Sequence, residues 1–392
     1  MAGKILWQLL IGLILFFLAL PPFRKLFFES GIRWQYILFF SFLLSYFLTP
    51  FFRIIAQRLD ITDKPNWRKV HEKATPLLGG LAVYAAFTTS LLFNNIFLDS
   101  MKALLTGSSL ILLMGLFDDI RPIHAFIKLI IQIIISLFVI FYGDIQLTFF
   151  YNLPWAGYIN VPLTVLWIVG ITNAMNFFDG LDGLAAALSI IIASFLGVIA
   201  FETNQTALGW FAVALAGSCM GFLPHNFRFG KSARLFLGDA GSTFIGFTLA
   251  GLAVLGKWSN TSNFVSLAAP ILIFGILIFD MTYVNLSRLK NKQARSFSGL
   301  LTCVNKDHLH HRLCLMGFAP KEAVYIIALI SACLGVSALI IMNQKVTQAL
   351  LGLVQSLMIL GLIVILMLKG REKLPPGGDR RKLRRRREDR LL

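Results

Sequence analysis

The sequence predicts an all-α fold, a polytopic transmembrane helix bundle of about 11–12 spans. Three observations carry that reading. Of the 392 residues, 57% are hydrophobic, and the mean hydropathy is +0.75. Only 14% are charged, against about one quarter in soluble domains. The apolar residues also come in long runs, such as 125–142 and 263–286, and runs of roughly 18 or more mainly apolar residues read as membrane spans. In lipid the backbone must satisfy its own hydrogen bonds, so only helices or closed barrels cross, and these runs lack the alternation of a barrel.

The candidate spans in chain order are 5–20, 34–55, 77–98, 103–117, 125–142, 161–172, 184–201, 208–223, 242–255, 264–286, 323–342 and 347–368. The first belongs to an extra N-terminal hydrophobic segment, 1–33. It carries one lysine before its apolar stretch, then Pro21, Pro22 and charged residues in place of a small-residue cleavage site. It reads as a retained helix, not a removed signal peptide. Residues 34–368 form the bundle, and 369–392 form an Arg-rich tail with Pro375, Pro376, Gly377 and Gly378. The tail reads as disordered, in contact with anionic headgroups.

Threading the spans back and forth sorts the loops into two sets. One holds Arg53, Arg58, Lys64, Arg68, Lys69, Lys73, Arg121, Lys128, Arg228, Lys231, Arg234, Arg288, Lys290, Lys292, Arg295, Lys306 and Arg312, together with the tail. The other, 144–160, 202–207, 256–263 and 343–346, is nearly free of basic residues. The positive-inside rule makes the first set cytoplasmic. It also accounts for the net charge of +17 without a nucleic-acid partner. One loop disagrees: Arg24, Lys25 and Arg33 fall on the outer side. Cys219, Cys303, Cys314 and Cys333 have neither metal nor redox spacing and read as small core residues or cytosolic thiols.

Acidic residues are scarce, and many fall at cytoplasmic helix ends. Asp118 and Asp119 end one span, Asp179 and Asp182 follow another, and Asp239 precedes a third. Asp and Asn are good helix caps, which explains any single one about as well as function does. It explains poorly why all share one side, since ionisable groups at membrane depth are expensive. Carboxylates and amides converging on one face suit a hard divalent cation such as Mg²⁺, which shares its ligands with substrate phosphates. Neighbouring cations suit phosphate oxygens. Together they point to a nucleotide or pyrophosphate substrate and phosphoryl-type chemistry at a membrane surface.

Two further blocks fit. The segment 63–71 contains Lys69 and His71 and leads through Thr75 and Pro76 into Gly79 and Gly80. That glycine pair allows close backbone approach to a ligand or to another helix. Then Asp307, His308, Leu309, His310, His311 and Arg312 put three histidines and an arginine in one cytoplasmic loop. Anion binding fits this block better than zinc, because the spacing is not that of a zinc motif and no cysteine completes a site.

With these blocks in this order, the chain resembles the polyprenyl-phosphate N-acetylhexosamine-1-phosphate transferase family, glycosyltransferase family 4. The resemblance covers about residues 60–317 and rests on five ordered blocks. The His-Leu-His-His-Arg block is similar to the bacterial branch that starts O-antigen, enterobacterial common antigen or teichoic acid linkage units. The three consecutive histidines of the muramoyl-pentapeptide branch are absent. The departures are the extra N-terminal segment and the long basic tail.

The resemblance implies transfer of N-acetylglucosamine-1-phosphate from UDP-N-acetylglucosamine to undecaprenyl phosphate, giving undecaprenyl-diphospho-N-acetylglucosamine and UMP. It implies Mg²⁺ as cofactor, or Mn²⁺ in its place, and a bacterial inner-membrane enzyme with its active site facing the cytoplasm. It is compatible with a homodimer. Carried over by motif, Asp239 and Asn176 look like metal ligands. Asp118 and Asp119 look like the catalytic pair, and Lys128 a phosphate contact. Asp182 looks like the uracil contact, with Phe236 stacked on the base. Asp179, Lys69 and His71 join the substrate-binding set, and His308, His310, His311 and Arg312 look like contacts to the diphosphate and amino sugar. For Asn176 capping, and for Lys128 snorkelling, remain open readings. The aspartate pair allows proton removal from the lipid phosphate, an aspartyl-phosphate intermediate, or direct in-line attack with the pair positioning the acceptor. Direct attack is preferred, because a phosphate monoester with a second pKa near roughly 6 needs little general-base help. The competing donors are UDP-N-acetylmuramoyl-pentapeptide and other UDP-amino sugars. The competing class is a lipid or sugar transporter, which would place ionisable residues at the bilayer midplane, commonly with inverted repeats.

Overall fold

The computed structural model describes residues 2–63, 74–148, 155–260, 263–290, 307–344 and 346–372. The described residues are almost entirely helical. In chain order the helices are α1 (Ala2–Ala19), α2 (Pro21–Glu29), α3 (Arg33–Arg58), α4 (Gly79–Phe93) and α5 (Asp99–Ile120). They continue with α6 (Ala125–Gly143), α7 (Ala156–Phe178), α8 (Leu184–Glu202), α9 (Thr206–Asn226) and α10 (Gly238–Leu255). The last are α11 (Asn263–Ile273), α12 (Gly275–Lys290), α13 (Leu309–Met316), α14 (Pro320–Ile341) and α15 (Val346–Glu372).

Each apolar run of the sequence centres on one helix or a bent pair, and the run 77–98 overshoots α4, whose helix ends at Phe93. Eight helices are long and apolar enough to cross a membrane, or up to 10 spans if each of two bent pairs counts as one. Two shorter apolar stretches, Gly79–Phe93 and Leu350–Ile365, complete the set. The protein is a multi-pass membrane bundle. The run 264–286 is not one straight helix: α11 and α12 meet at 74° around Phe274. Pro270 removes an amide from the ladder just before the break.

α10 is the enclosed centre of the bundle, with nearly every residue from Gly238 to Val254 buried. It packs against α4, α5, α7 and α8. Close approach is made by glycines: a Cβ at Gly80 would lie 2.3 Å from the Gly241 Cα, and one at Gly115 would lie 2.6 Å from the Ala240 Cα. Van der Waals contact between small residues is what holds helices together where lipid removes the hydrophobic drive. The Gly79–Gly80 pair is thus placed as a helix-packing contact. A two-stranded hairpin, β1 (Thr62–Asp63) and β2 (Thr75–Pro76), joins α3 to α4, with Thr62 opposite Pro76.

The N-terminal segment packs on the bundle: Ile11 and Leu15 are buried, and the Tyr36 hydroxyl donates to the Leu18 carbonyl at 2.8 Å. α1 and α2 bend by 67°. Arg24 donates to the Phe93 carbonyl at 2.5 Å and Arg33 to that of Asn94, both at the end of α4 remote from Gly79. The Arg33 guanidinium also lies 3.8 Å from the Trp210 ring centroid and 4.3 Å from that of Phe28. The basic loop that departs from the positive-inside rule is therefore neutralised locally, by helix C-terminal carbonyls and aromatic faces.

Candidate active site

The carboxylates meet where α5, α6, α7 and α10 end on the side of the hairpin. α10 begins on Gly238, at φ +77°. A Cβ there would lie 2.6 Å from Asp119 Oδ2 and 2.8 Å from the Leu77 carbonyl, so only glycine fits. The first turn of α10 has unpaired amides, and Asp119 takes two of them: the amides of Asp239 and Ala240 donate to its oxygens at 2.9 and 3.1 Å. Asp119 thus caps a helix, but one 120 residues away. Its neighbour Asp118 turns to α6. It accepts from the Ile123 amide at 2.6 Å and from the Lys128 ammonium. The same ammonium lies 3.1 Å from Asp239 Oδ2. Asn176, in the last turn of α7, donates to Asp239 Oδ1 at 3.0 Å and to Ser242 Oγ at 2.9 Å.

Lys128 therefore bridges Asp118 and Asp239 and does not snorkel away. Asp179 stands at the C-terminal cap of α7. Burial, and then the charges of Asp239, Asp119 and Asp182, raise its pKa well above the ordinary carboxylate value. Among the described residues, Lys128 is the cation paired with this carboxylate group. Among the described residues the carboxylates of this cluster outnumber the cation paired with them.

Asp182 accepts from the Ala233 amide at 2.9 Å, which brings it to the loop that carries Phe236. Asn226 braces that loop. Its side chain accepts from the Gly183 amide at 2.6 Å and donates to the Leu235 carbonyl at 3.0 Å. Phe236 is tied to the hairpin through its amide, 2.8 Å from the Pro76 carbonyl. Lys69 and His71, between β1 and β2 in sequence, lie outside the described residues.

The histidine block packs on the same end. The His310 ring is buried beside Phe178, and a Cβ at Gly180 would lie 2.7 Å from its Nε2. Among the described residues neither ring nitrogen of His310 has a hydrogen-bond partner. Burial, then the neighbouring His311 and His308, lower its pKa well below the ordinary value, which keeps it neutral. The His311 ring centroid is 4.1 Å from that of His310. Arg312 is buried, with Nε 2.6 Å from the Asp307 carbonyl and its guanidinium carbon 5.3 Å from the Tyr283 centroid.

Three participants escape sequence reasoning. Asp280, fully buried on α12, holds His308. A lone carboxylate inside an apolar run was its signal. Asn226 gave none, and Gln132 pairs with Asn173 across α6 and α7 at 2.6 Å with no pattern to announce it.

This is the polar centre of a membrane-embedded enzyme, and comparison with known proteins gives its class. The family model for glycosyl transferase family 4 matches residues 101–257, a stretch holding every residue of the cluster from Asp118 to Asp239. The chain is 34% identical, over 82% of its length and 88% of the relative's, to a probable undecaprenyl-phosphate N-acetylglucosaminyl 1-phosphate transferase of Bacillus subtilis. It is 30% identical to a decaprenyl-phosphate N-acetylglucosaminephosphotransferase of Mycolicibacterium smegmatis, over 73% and 77% of the two chains. It is 28% identical to an undecaprenyl-phosphate alpha-N-acetylglucosaminyl 1-phosphate transferase of Escherichia coli K12, over 72% and 77%. The chain belongs to the polyprenyl-phosphate N-acetylglucosamine-1-phosphate transferases of glycosyl transferase family 4.

Proposed function

We propose that this enzyme transfers N-acetylglucosamine-1-phosphate from UDP-N-acetylglucosamine to undecaprenyl phosphate. The products are undecaprenyl-diphospho-N-acetylglucosamine and UMP, made on the cytoplasmic face of a bacterial inner membrane as the first membrane step of an envelope glycan such as O-antigen or teichoic acid. The observation that carries this reading is the Asp118–Lys128–Asp239–Asn176 constellation, gathered from α5, α6, α10 and α7 at one end of the bundle. The relatives' names support a polyprenyl phosphate acceptor and transfer of N-acetylglucosamine-1-phosphate, and the uridine nucleotide follows from the motif resemblance.

In this mechanism an oxygen of the lipid phosphate attacks the sugar-bearing phosphorus of the donor. The bond from that phosphorus to the bridging oxygen breaks, and UMP leaves with the electron pair. Lys128 sits where it offsets charge on the phosphates, as a point charge held by two carboxylates. Both oxygens of Asp119 are engaged by amides, and those of Asp118 by an amide and Lys128. That arrangement favours direct attack over an aspartyl-phosphate intermediate, with the pair setting α10 and Lys128 in place. Asp182 is joined to the loop that carries Phe236 by the Ala233 amide, and the two side chains suit the uracil ring.

Among the described residues no three His, Cys, Asp or Glu side chains form a ready metal cage. Mg²⁺ commonly takes one or two carboxylates and completes its shell with substrate phosphates and water, so a cage is not what its site requires. The donor set fits it: the Asp239 carboxylate and, with the amide turned over from the orientation that now donates to Asp239, the Asn176 oxygen, amid carboxylates that outnumber their paired cation among the described residues. Bound there, Mg²⁺ would neutralise charge on the diphosphate and on departing UMP.

The acceptor's tail has a matching space. A cavity of about 880 Å³ lies between α7, α10, α11 and α12, lined by Leu166, Ile171, Ala253, Ile271, Leu277 and Ile278 among others. The cavity runs from the ends of α6 and α10 remote from the carboxylates to Ala174, two residues before Asn176, and an apolar groove of this course suits a polyprenyl tail.

The test is a donor panel on the purified protein in detergent, with undecaprenyl phosphate, with and without Mg²⁺, reading UMP release and product mass. Mg²⁺-dependent product from UDP-N-acetylglucosamine is expected. Product only from another UDP-amino sugar would replace the donor, and no UMP release from folded protein would end the transferase reading.

A further inference from the structure

Asp280 is fully buried on an otherwise apolar stretch of α12, and its two oxygens are both used. Oδ2 lies 2.6 Å from His308 Nδ1, and Oδ1 accepts from the Leu309 amide at 2.8 Å. The His308 ring is also held on its face, stacked on Phe177 with centroids 5.0 Å apart and planes 19° apart. Phe177 directly follows Asn176 in the last turn of α7. His308 is thus fixed at one edge by Asp280 and on one face by the helix that delivers Asn176.

A carboxylate on Nδ1 demands the ring proton there, because an unprotonated nitrogen facing a carboxylate sets two lone pairs against each other. Nε2, on the other edge of the ring, is then the nitrogen left for a ligand.

Asp280 could merely anchor the loop. Two observations point past that. Two turns further along α12, Arg288 Nε donates to Asp307 Oδ2 at 3.1 Å, so the loop already has an anchor next to His308. A buried carboxylate is also a poor choice for anchoring alone, since its desolvation cost can exceed what an apolar contact at the same place would incur.

Resting on the transferase reading above, we propose that Asp280 is a positioning residue for the transfer reaction: its carboxylate fixes His308 with the proton on Nδ1 and presents Nε2 to the phosphate groups being joined. Asp280 does not touch substrate itself. Its effect passes through one ring.

Asp280→Asn tests this most sharply. The variant is isosteric and keeps the Leu309 contact through its carbonyl oxygen, but its amide NH₂ then faces Nδ1. Nδ1 must accept, and the ring proton moves to Nε2. The experiment uses the full-length protein in detergent with histidine-selective ¹⁵N labelling. There are six histidines, and His308→Ala identifies the signal of interest. In the wild type that signal should report a proton on Nδ1, and in Asp280→Asn a proton on Nε2 alone. Turnover with UDP-N-acetylglucosamine and undecaprenyl phosphate should fall about 10- to 100-fold in kcat in Asp280→Asn, the scale seen when a partner orienting a functional histidine is lost. Donor KM should hold within about threefold, because a contact made in the transition state is what disappears. Combining Asp280→Asn with His308→Ala should be no worse than His308→Ala alone.

A wild-type His308 with its proton on Nε2 alone overturns the proposal, and that measurement needs no activity, only His308→Ala to assign the signal. So does an Asp280→Asn protein with wild-type kcat, or a double variant whose losses multiply. If Asp280→Asn does not fold, Asp280→Glu takes its place in the cycle, with the same requirement that its effect vanish in the His308→Ala background. No transfer by the wild type with any donor would sink the transferase reading instead, and the tautomer would still decide the role of Asp280.

Discussion

Replacing Gly115 by alanine sets local and tertiary forces against each other at a single site. Gly115 is buried inside α5, one turn before Asp118 and Asp119. By helix propensity alone the change should stabilise the protein by about 1 kcal/mol. The tertiary structure says otherwise. The new Cβ would lie 2.6 Å from the Ala240 Cα and 2.7 Å from both the Ala240 nitrogen and the Asp239 carbonyl, all backbone atoms that cannot swing aside. Restoring ordinary contact, which begins at 3.4 Å, pushes α5 from α10 by about 0.8 Å, and overpacking of this kind costs about 1–3 kcal/mol. The displacement falls on the hydrogen bonds from the Asp239 and Ala240 amides to Asp119, now 2.9 and 3.1 Å, and carries them beyond effective range. A buried amide left without its partner costs about 1–3 kcal/mol, so losing the pair outweighs the propensity gain. Asp239 also shifts against Lys128 and Asn176, and misplacement near 1 Å costs about 100-fold in rate. Thermal unfolding in detergent and UMP release under saturating substrates read the two effects. A lower melting temperature with kcat down about 100-fold is expected. A melting temperature at or above wild type with unchanged kcat would refute the close-packed α5–α10 joint as the support of the site.

Asp239→Asn should reduce turnover by about 1,000-fold or more while the protein still folds, because it removes the anionic oxygen shared by Lys128 and the expected metal; wild-type-like UMP release would remove the metal assignment. Chelation with EDTA should stop UMP release, and added Mg²⁺ should restore it; full activity of exhaustively chelated protein would count against the cation. His310 gives a pH signature. Its folded-state pKa lies well below the ordinary 6.5, so the unfolded chain binds the extra proton first, and stability present above pH 6.5 is lost as pH falls below it. Melting temperatures at pH 7.5 and 5.5 should differ less in His310→Phe than in wild type, and an equal drop in both would show that the buried ring is not responsible.

Much of the protein was legible in the sequence because hydropathy is a local sum. Each apolar run of the sequence centres on a helix or bent pair, and the acids at the ends of the runs 103–117, 161–172 and 242–255 do meet. Positive loops and scarce carboxylates were readable for the same reason: charge in a membrane is costly wherever it sits, so its placement alone carries information.

Partner choice is not local, and there the tertiary structure decided. Capping was a fair reading of Asp119, yet the helix it caps begins 120 residues on, at amides no nearby residue satisfies. The run 264–286 was mainly apolar, but it breaks by 74° and turns α12 toward the site. On that helix Asp280 is a lone carboxylate in sequence, and its ring partner lies 28 residues later, beyond α12. The sequence by itself determined which groups could not remain in lipid unaccompanied. Only the packing of α10 among its neighbours, set by glycines that let backbones approach, determined which group each of them would meet.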